Sequence, residues 1–520
     1  MLAAVRSAAV LGIEALPVTV EVDAAKGMPN WLIVGLAAGA VKESRERVGA
    51  ALANAGFLIP PRRITVNLAP ADVRKEGTSY DLPIALGLLV ATGQLAPDAV
   101  RDLCVVGELG LDGAIRPVRG VLPVARRVGA EPATTLVVPV GNLPEARLVA
   151  GARLAAPRTL AELVDALRAG RLDAPPPAPT PDDGDATPAV DLAEVVGQPT
   201  ARRALEIVAA GDHGVALVGP PGAGKTLLAQ CLPGILPPLT EAEALEVIAI
   251  HSVAGTLSAR DLARRRPFRA PHHSISTAGL VGGGSAPRPG EASLAHLGVL
   301  FLDELLEFPR AMLDALRQPI EEGHVVLSRA AGTVRYPARF TLVGAMNPCP
   351  CGHAGDATRP CTCTPADVAR YRARLSGPLA DRIDLHVVLG AVPVRQLADG
   401  SARESSATVR ARVAAARERQ RDRYAALGPL LSNGRVAGRW LVRHGGLTAD
   451  ARELLASAAE RLGLSARGYH RVLRVARTIA DLDGEEAIRP PSVAEALRYR
   501  PALPRDGSSA AVRPAAATGA

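Results

Sequence analysis

The chain carries 60 basic residues, and only four are lysines: Lys26, Lys42, Lys75 and Lys225. The last stands in GVALVGPPGAGKTLLAQ, Gly214 to Gln230, where an apolar run ends in a glycine-rich turn and then opens a helix-like stretch. Its centre, Gly219, Pro220, Pro221, Gly222, Ala223, Gly224, Lys225 and Thr226, matches G-x-x-x-x-G-K-[ST] in the strand-to-helix context that gives the pattern its meaning. Glycines let backbone N–H groups turn inward around phosphate oxygens, and the helix N-terminus adds a favourable dipole. Lys225 brings a compact point charge to the β- and γ-phosphates, where the planar fork of an arginine has no room. Thr226 offers a hydroxyl to Mg2+. The stretch therefore implies an α/β domain with a phosphate loop, and ATP with Mg2+ as what it holds.

Two later segments extend this site. GVLFLDEL, Gly298 to Leu305, is an apolar run ending in two carboxylates. Asp303 suits the Mg2+ shell, and Glu304 suits orienting and polarising the attacking water. FTLVGAMNP ends at Asn347, whose amide can contact the γ-phosphate or the lytic water. GVALVG, GVLFLD and FTLVGAMN are short, rich in valine and leucine, and separated by helical patterns, as expected of buried strands in a parallel sheet.

Length and composition set the surroundings. A chain of 520 residues exceeds one core, so two or three domains are expected. RLDAPPPAPTPDDGDATPAV, Arg171 to Val190, holds six prolines and four aspartates and reads as an extended, mobile linker. It separates a domain over 1–170 from a phosphate-loop core over 191–390, a helical, polar-patterned domain over 391–504 and a low-complexity tail over 505–520. In the first domain VTVEVD, WLIVGL and ITVNLAP read as strands, while VKESRERVGAALANAG and YDLPIALGLLVATGQL read as helices, an α+β mixture. No uncharged apolar run reaches 18 residues, and the N-terminus has no cleavage-site pattern, so neither a membrane span nor a signal peptide is expected. Six cysteines are too few for a disulfide scaffold, which makes the cytoplasm the expected compartment. A net charge of +8 suits a polyanion only weakly, and an aromatic content of 2% argues against base-stacking platforms.

GPPGAGKT, FRAPHHSISTAGLVGGG, GVLFLDEL, AMNPCPCG and SGPLADRIDLHV, in that order, resemble the magnesium-chelatase-like AAA+ ATPases of the YifB/ComM type, a family of competence-associated helicases. The resemblance spans nearly the whole chain, and Phe268 to Gly284 is its most specific stretch. It implies a phosphate-loop AAA+ core with a helix-2 insert and a pre-sensor hairpin, followed by a helical lid. Composition cannot single out two of the 56 arginines. The resemblance implies sensor 1 at Asn347, an arginine finger at Arg382 that reaches the neighbouring subunit, and sensor 2 at Arg467. A finger in trans implies a ring, a hexamer in this family, and permanent charge with a forked shape suits both arginines. Two loops should then face the pore: Val281 to Ser293, flexible with Arg288 near its tip, and a hairpin over Glu321 to Phe340 offering His324, Arg329 and Arg335 to DNA phosphates.

The first domain resembles the Lon-protease fold. KEGTSYDLPIALGLL puts Ser79 where that nucleophile sits, but the position of its lysine is taken by Leu122, and VGELGLDGAIRPVRGVLPVA holds no lysine. A serine without its base is not an activated nucleophile, so a binding or assembly module is expected.

CPCGHAGDATRPCTC pairs two C-x-C units, Cys349 with Cys351 and Cys361 with Cys363. One Zn2+, free thiols and a redox pair all remain open for it. Adjacent His272 and His273 suit packing or substrate contact, and the seven arginines from Arg403 to Arg423 read as a solvated helix face. The function implied is a ring-forming ATPase that moves DNA strands, a helicase or branch-migration motor. The alternative is a chelatase-type motor that remodels a protein partner, or an assembly module whose first domain binds protein.

Overall fold

The computed structural model describes residues 2–36, 38–172, 190–258, 264–284, 287–329, 332–355, 359–375, 377–392, 403–428 and 431–500. Most of the expected linker and all of the expected tail lie outside these residues.

Residues 2–172 are built on a seven-stranded sheet. Its order is Asn30–Val34, Arg63–Ala69, Glu14–Ala25, Leu2–Leu11, Leu103–Val105, Thr135–Val137 and Arg153–Ala155. Leu2–Leu11 and Glu14–Ala25 form a long antiparallel ladder, Leu2 opposite Asp23 and Leu11 opposite Glu14. Period-2 alternation fixes its faces: Val18, Val20, Val22 and Ala24 are buried and the residues between them are not. The helix Asp81–Ala91 is buried along its whole length against this sheet. Gly87 is what lets it approach so closely, since a Cβ there would come within 2.6 Å of Val22.

The second sheet is parallel throughout, in the order Phe268–Arg269, Val299–Leu302, Thr341–Met346, Val215–Val218, Leu385–Val388. The three apolar runs singled out in the sequence are its central strands. The chain leaves Val215–Val218 for the far edge and later returns on both its sides, so the crevice at the carboxyl end of this strand is a topological switch point, where open α/β sheets bind ligands. The C-terminal helices Ser406–Tyr424, Gly438–His444, Ala449–Leu462, Ala466–Leu482 and Pro490–Arg498 share its core. One apolar cluster joins Val215 and Leu217 to Val409, Val413, Leu473 and Ile479.

The arginines of Ser406–Tyr424 depart in part from the expected solvated face. Arg412 Nε donates to Glu206 at 2.5 Å, Arg417 Nε to the carbonyl of Ala209 at 2.8 Å, and Arg423 grips the buried Asp481. Arg412, Arg419 and Arg421 stay exposed as expected, while Arg417 and Arg423 are drawn against neighbouring elements, which single-helix periodicity does not show.

Candidate active site

Val215–Val218 delivers the chain into Gly219–Gly224, and the helix Lys225–Ile235 starts at the lysine itself. Gly222 and Gly224 sit at φ +79° and +84°, left-handed conformations that strain any residue bearing a Cβ. Gly219 is packed beneath the end of Leu385–Val388: a Cβ there would come within 2.8 Å of the Leu389 carbonyl. Lys225 Nζ donates to the carbonyls of Gly219 at 2.7 Å and Pro220 at 3.0 Å, and to Asn347 Oδ1 at 3.0 Å. Burial, partly offset by the carboxylates of Asp303 and Glu304, pulls its ammonium below the usual lysine range.

Asp303 and Glu304 follow Val299–Leu302 at the same end of the sheet. Thr226 Oγ1 donates to Asp303 Oδ2 at 3.1 Å, so the hydroxyl and the carboxylate that the sequence assigned to one metal ion are in contact. Glu304 takes φ +51°, uncommon for a residue with a side chain, and its backbone N–H bonds Asp303 Oδ1 at 2.9 Å. That turn throws the Glu304 side chain outward, where it is exposed and lies 3.5 Å from His273 Nδ1. The ring of His273 is held by His272 at 4.0 Å and, edge-on, by Phe308 at 6.3 Å. His273 is thus a neighbour of the proposed water-activating carboxylate. The sequence places the two far apart, and only the FRAPHH stretch hinted at a role.

Lys225, Thr226, Asp303, Glu304 and Asn347 therefore come together. Arg382 does not join them. Asp384 and Leu385 donate their N–H groups to Gly214 O, each at 3.0 Å, which fixes Arg382 at the amino end of the sheet. Four residues of strand, about 13 Å, separate that end from the phosphate loop. Arg382 is mostly buried there and pairs with Glu321. Arg467 is exposed at the start of Ala466–Leu482, and one turn along this helix Arg471 lies 3.7 Å from Asp384. Arg467 lies one turn before Arg471, about 5–6 Å along the helix, and among the described residues it makes no hydrogen bond or ion pair to the phosphate loop. Asp384 is also held by His213 Nδ1 at 2.9 Å, and His213 Nε2 meets Thr478 Oγ1 at 2.8 Å. Burial pushes Asp384 upward, but the His213 bond and the nearby Arg474 and Arg471 guanidiniums hold its carboxyl below the usual range.

Comparison with known proteins points to the magnesium-chelatase-like families. The family models described as magnesium chelatase subunit ChlI, its C-terminal part, and subunit ChlI of Mg-chelatase match residues 191–397, 403–500 and 20–142. Competence protein ComM of Haemophilus influenzae is 44% identical over 505 residues, 96% of this chain and 97% of its own. YifB of Escherichia coli is 45% identical over 501 residues, with 96% and 97% covered. The chain belongs to the YifB/ComM family of magnesium-chelatase-like AAA+ proteins. The 38 kDa magnesium-chelatase subunit of Rhodobacter capsulatus is more distant, 29% identical over 178 residues, which is 31% of this chain and 51% of that subunit.

Ser79 and Leu122, whose roles the Lon resemblance suggested, are treated differently by this YifB/ComM chain. Ser79 is half-buried before the helix Asp81–Ala91, and its hydroxyl has no hydrogen-bond partner among the described residues. The nearest lysine in sequence, Lys75, is buried and donates to the Pro70 carbonyl. Leu122 is fully buried, in one apolar cluster with Leu239, Ala244, Val247, Ile248 and Ala249. Those partners lie on and just before the ATPase-core helix Glu241–Ala254, and Gly120 N–H reaches Ser252 O of the same helix at 3.1 Å.

The two candidate pore segments form short ladders, Gly282–Gly283 with Arg288–Pro289 and His324–Arg329 with Gly332–Pro337. Tyr336 Oη donates to Pro287 O at 2.9 Å and joins the two. Arg288 and Arg335 are exposed, with Arg335 bonded to His324 Nδ1 at 2.9 Å; the Arg329 side chain lies outside what is described. Cys349, Cys351, Cys361 and Cys363 converge, their sulfurs all within 4.8 Å of one another. Among the described residues no helix is long and apolar enough to cross a membrane.

Proposed function

We propose that the protein is a cytoplasmic, ring-forming ATPase that converts ATP hydrolysis into movement of DNA strands, a helicase or branch-migration motor acting in recombination or DNA uptake. The observation that carries the ring is the division of the catalytic set between opposite ends of one sheet. Lys225, Thr226, Asp303, Glu304 and Asn347 stand at one end and Arg382 at the other. Arg382 is paired with Glu321 in the single chain, so completing a neighbour's site would mean exchanging that partner for phosphate, and a closed ring, a hexamer, would let every site be completed alike. The glycine conformations and the Thr226–Asp303 contact fit ATP with Mg2+. Bound Mg2+ neutralises phosphate charge; Thr226 and Asp303 would hold it, Lys225 would bind the β- and γ-phosphates, and Glu304 would orient water with Asn347 beside it. As a second metal, the four cysteines suit Zn2+. The reading further takes residues 1–170 as a Lon-like assembly module and 391–504 as the lid.

DNA as the substrate is supported by exposed Arg288 and Arg335 on two joined hairpins and by the competence relative. ATP turnover measured with and without single-stranded and forked DNA tests it. Stimulation that fades with added salt is expected, because phosphate contacts release counterions. No stimulation and no strand displacement would favour a chelatase-type motor that remodels a protein partner.

A further inference from the structure

We infer that the four cysteines hold a single zinc ion, and that this ion braces the phosphate loop. The second half rests on the reading of Gly219–Thr226 as an ATP site. Cys349 Sγ lies 3.4 Å from Cys351 Sγ and 3.7 Å from Cys361 Sγ, and Cys351 Sγ lies 3.6 Å from Cys361 Sγ. Four sulfurs around one Zn2+ at about 2.3 Å stand at the corners of a tetrahedron with edges of about 3.8 Å. The observed spacing is close to that, longer than a disulfide and too tight to enclose an iron–sulfur cluster. Backbone N–H groups point at the sulfurs, Ala354 to Cys349 at 3.2 Å, Cys351 to Cys363 at 3.4 Å and Cys363 to Cys361 at 3.4 Å. Such donors orient and stabilise thiolates around a metal.

The place of the cluster gives it a task. Its first arm lies between two contacts with the phosphate loop: Asn347 accepts from Lys225, and Gly352 sits against the ring of Pro221. Gly352 is at φ +85°, and a Cβ there would come within 2.9 Å of Pro221 Cδ, so the approach needs glycine. Its second arm runs into the helix Pro365–Arg372, capped by Thr364. Arg372 of that helix bonds the Pro348 carbonyl at 3.3 Å, and Arg374 bonds Glu307 at 2.8 Å, three residues after Glu304. One ion at the crossing of these arms ties the phosphate loop, Asn347 and the Glu304 turn into a single body. Without it, the loop beside Pro221 has to be ordered by the nucleotide.

Elemental analysis of the full chain purified under reducing conditions, combined with titration by a fluorescent ATP analogue in Mg2+, tests this. One zinc per chain is expected. Cys361→Ser changes an exposed residue, so it should fold, lose zinc and bind the analogue about tenfold more weakly, the equivalent of leaving one more residue to be ordered. Chelator-stripped parent protein should show the same weakening, reversed by adding Zn2+, while Lys225→Ala loses the analogue and keeps zinc. Iron, or no stoichiometric metal, overturns the assignment. Zinc loss with unchanged affinity overturns the brace and leaves the ATP site standing. A zinc-loaded parent that binds no analogue overturns the brace and the ATP reading together.

Discussion

Two positions in this protein are places where the sequence reading looks for a lysine, 225 in the phosphate loop and 122 by the Lon resemblance, and only one is a lysine. At 225 the amine is kept, half-sheltered between loop carbonyls and Asn347, beside two carboxylates. At 122 a leucine stands instead, wholly buried against the helix Glu241–Ala254 of the ATPase core. The first region is polar, glycine-strained and open at a sheet end, as a site must be to admit a charged ligand. The second is closed and packed on the apolar side chains of the core helix, with one buried carboxylate, Glu145, accepting from the Leu122 N–H at 3.2 Å, which suits a joint rather than a ligand site. A leucine suits position 122, where the surroundings ask for packing, and a lysine suits position 225, where its charge has partners to meet.

The largest effect is expected at the first position. Lys225→Ala removes the point charge aimed at the phosphates and should lower ATP turnover by about 10²–10³-fold or more, measured as phosphate release at saturating Mg2+. The fold should persist, because the loop glycines and the Gly219 N–H bond to Met346 O remain. Near-normal turnover in this variant would dissolve the contrast between the two sites.

At the second position Leu122→Lys restores the missing amine on paper. We expect no peptidase activity, since the new ammonium enters the packed joint beside Glu145 and the helix Glu241–Ala254 rather than a cleft beside Ser79. Forcing a charge into a packed joint whose one nearby carboxylate, Glu145, already accepts from Asn142 and from the residue 122 N–H should cost about 3 kcal/mol, seen as a lowered Tm and faster proteolytic separation of residues 1–170 from the rest. Peptide cleavage by this variant would show that the catalytic geometry survives and that only the base is missing.

What could be read from the sequence follows the same division. The phosphate loop was legible because its chemistry is local: eight consecutive residues carry both the turn and the charge. The three central strands were legible because buried parallel strands read as continuous apolar runs. The position of Arg382 at the far end of the sheet was not, since it depends on Leu385–Val388 pairing with Val215–Val218. The nearness of His273 to Glu304, and of Gly352 to Pro221, arises the same way, from crossovers that leave no trace in spacing. The inward turn of Arg417 and Arg423 was not legible either, because a helical period shows which residues share a face, not what faces them.

A smaller effect is expected at His273. His273→Ala should leave the KM for ATP nearly unchanged and lower kcat about tenfold, because the imidazole acts on the direction of the Glu304 carboxylate rather than on phosphate. His273→Gln, which keeps a polar group near Glu304, should recover part of the loss. Equal losses in both variants, or a change confined to KM, would assign His273 to nucleotide contact or to simple packing against Phe308.

The smallest effect is expected at Ser79. Its hydroxyl bonds nothing among the described residues, while its backbone carbonyl accepts from Gly107 N–H at 3.0 Å, a bond that alanine keeps. Neighbouring Thr78 holds Glu108, and the buried Asp81 is satisfied by Ser44 and Arg47, so neither depends on Ser79. Ser79→Ala should shift stability by no more than about 0.5 kcal/mol and leave ATP turnover and DNA stimulation at parental values. A serine that lacks a base has no catalytic step to lose, and the variant measures that directly. A marked loss of turnover on this substitution would mean that the first domain acts on the ATPase through Ser79, and the contrast between position 225 as a site and position 122 as a joint would no longer hold.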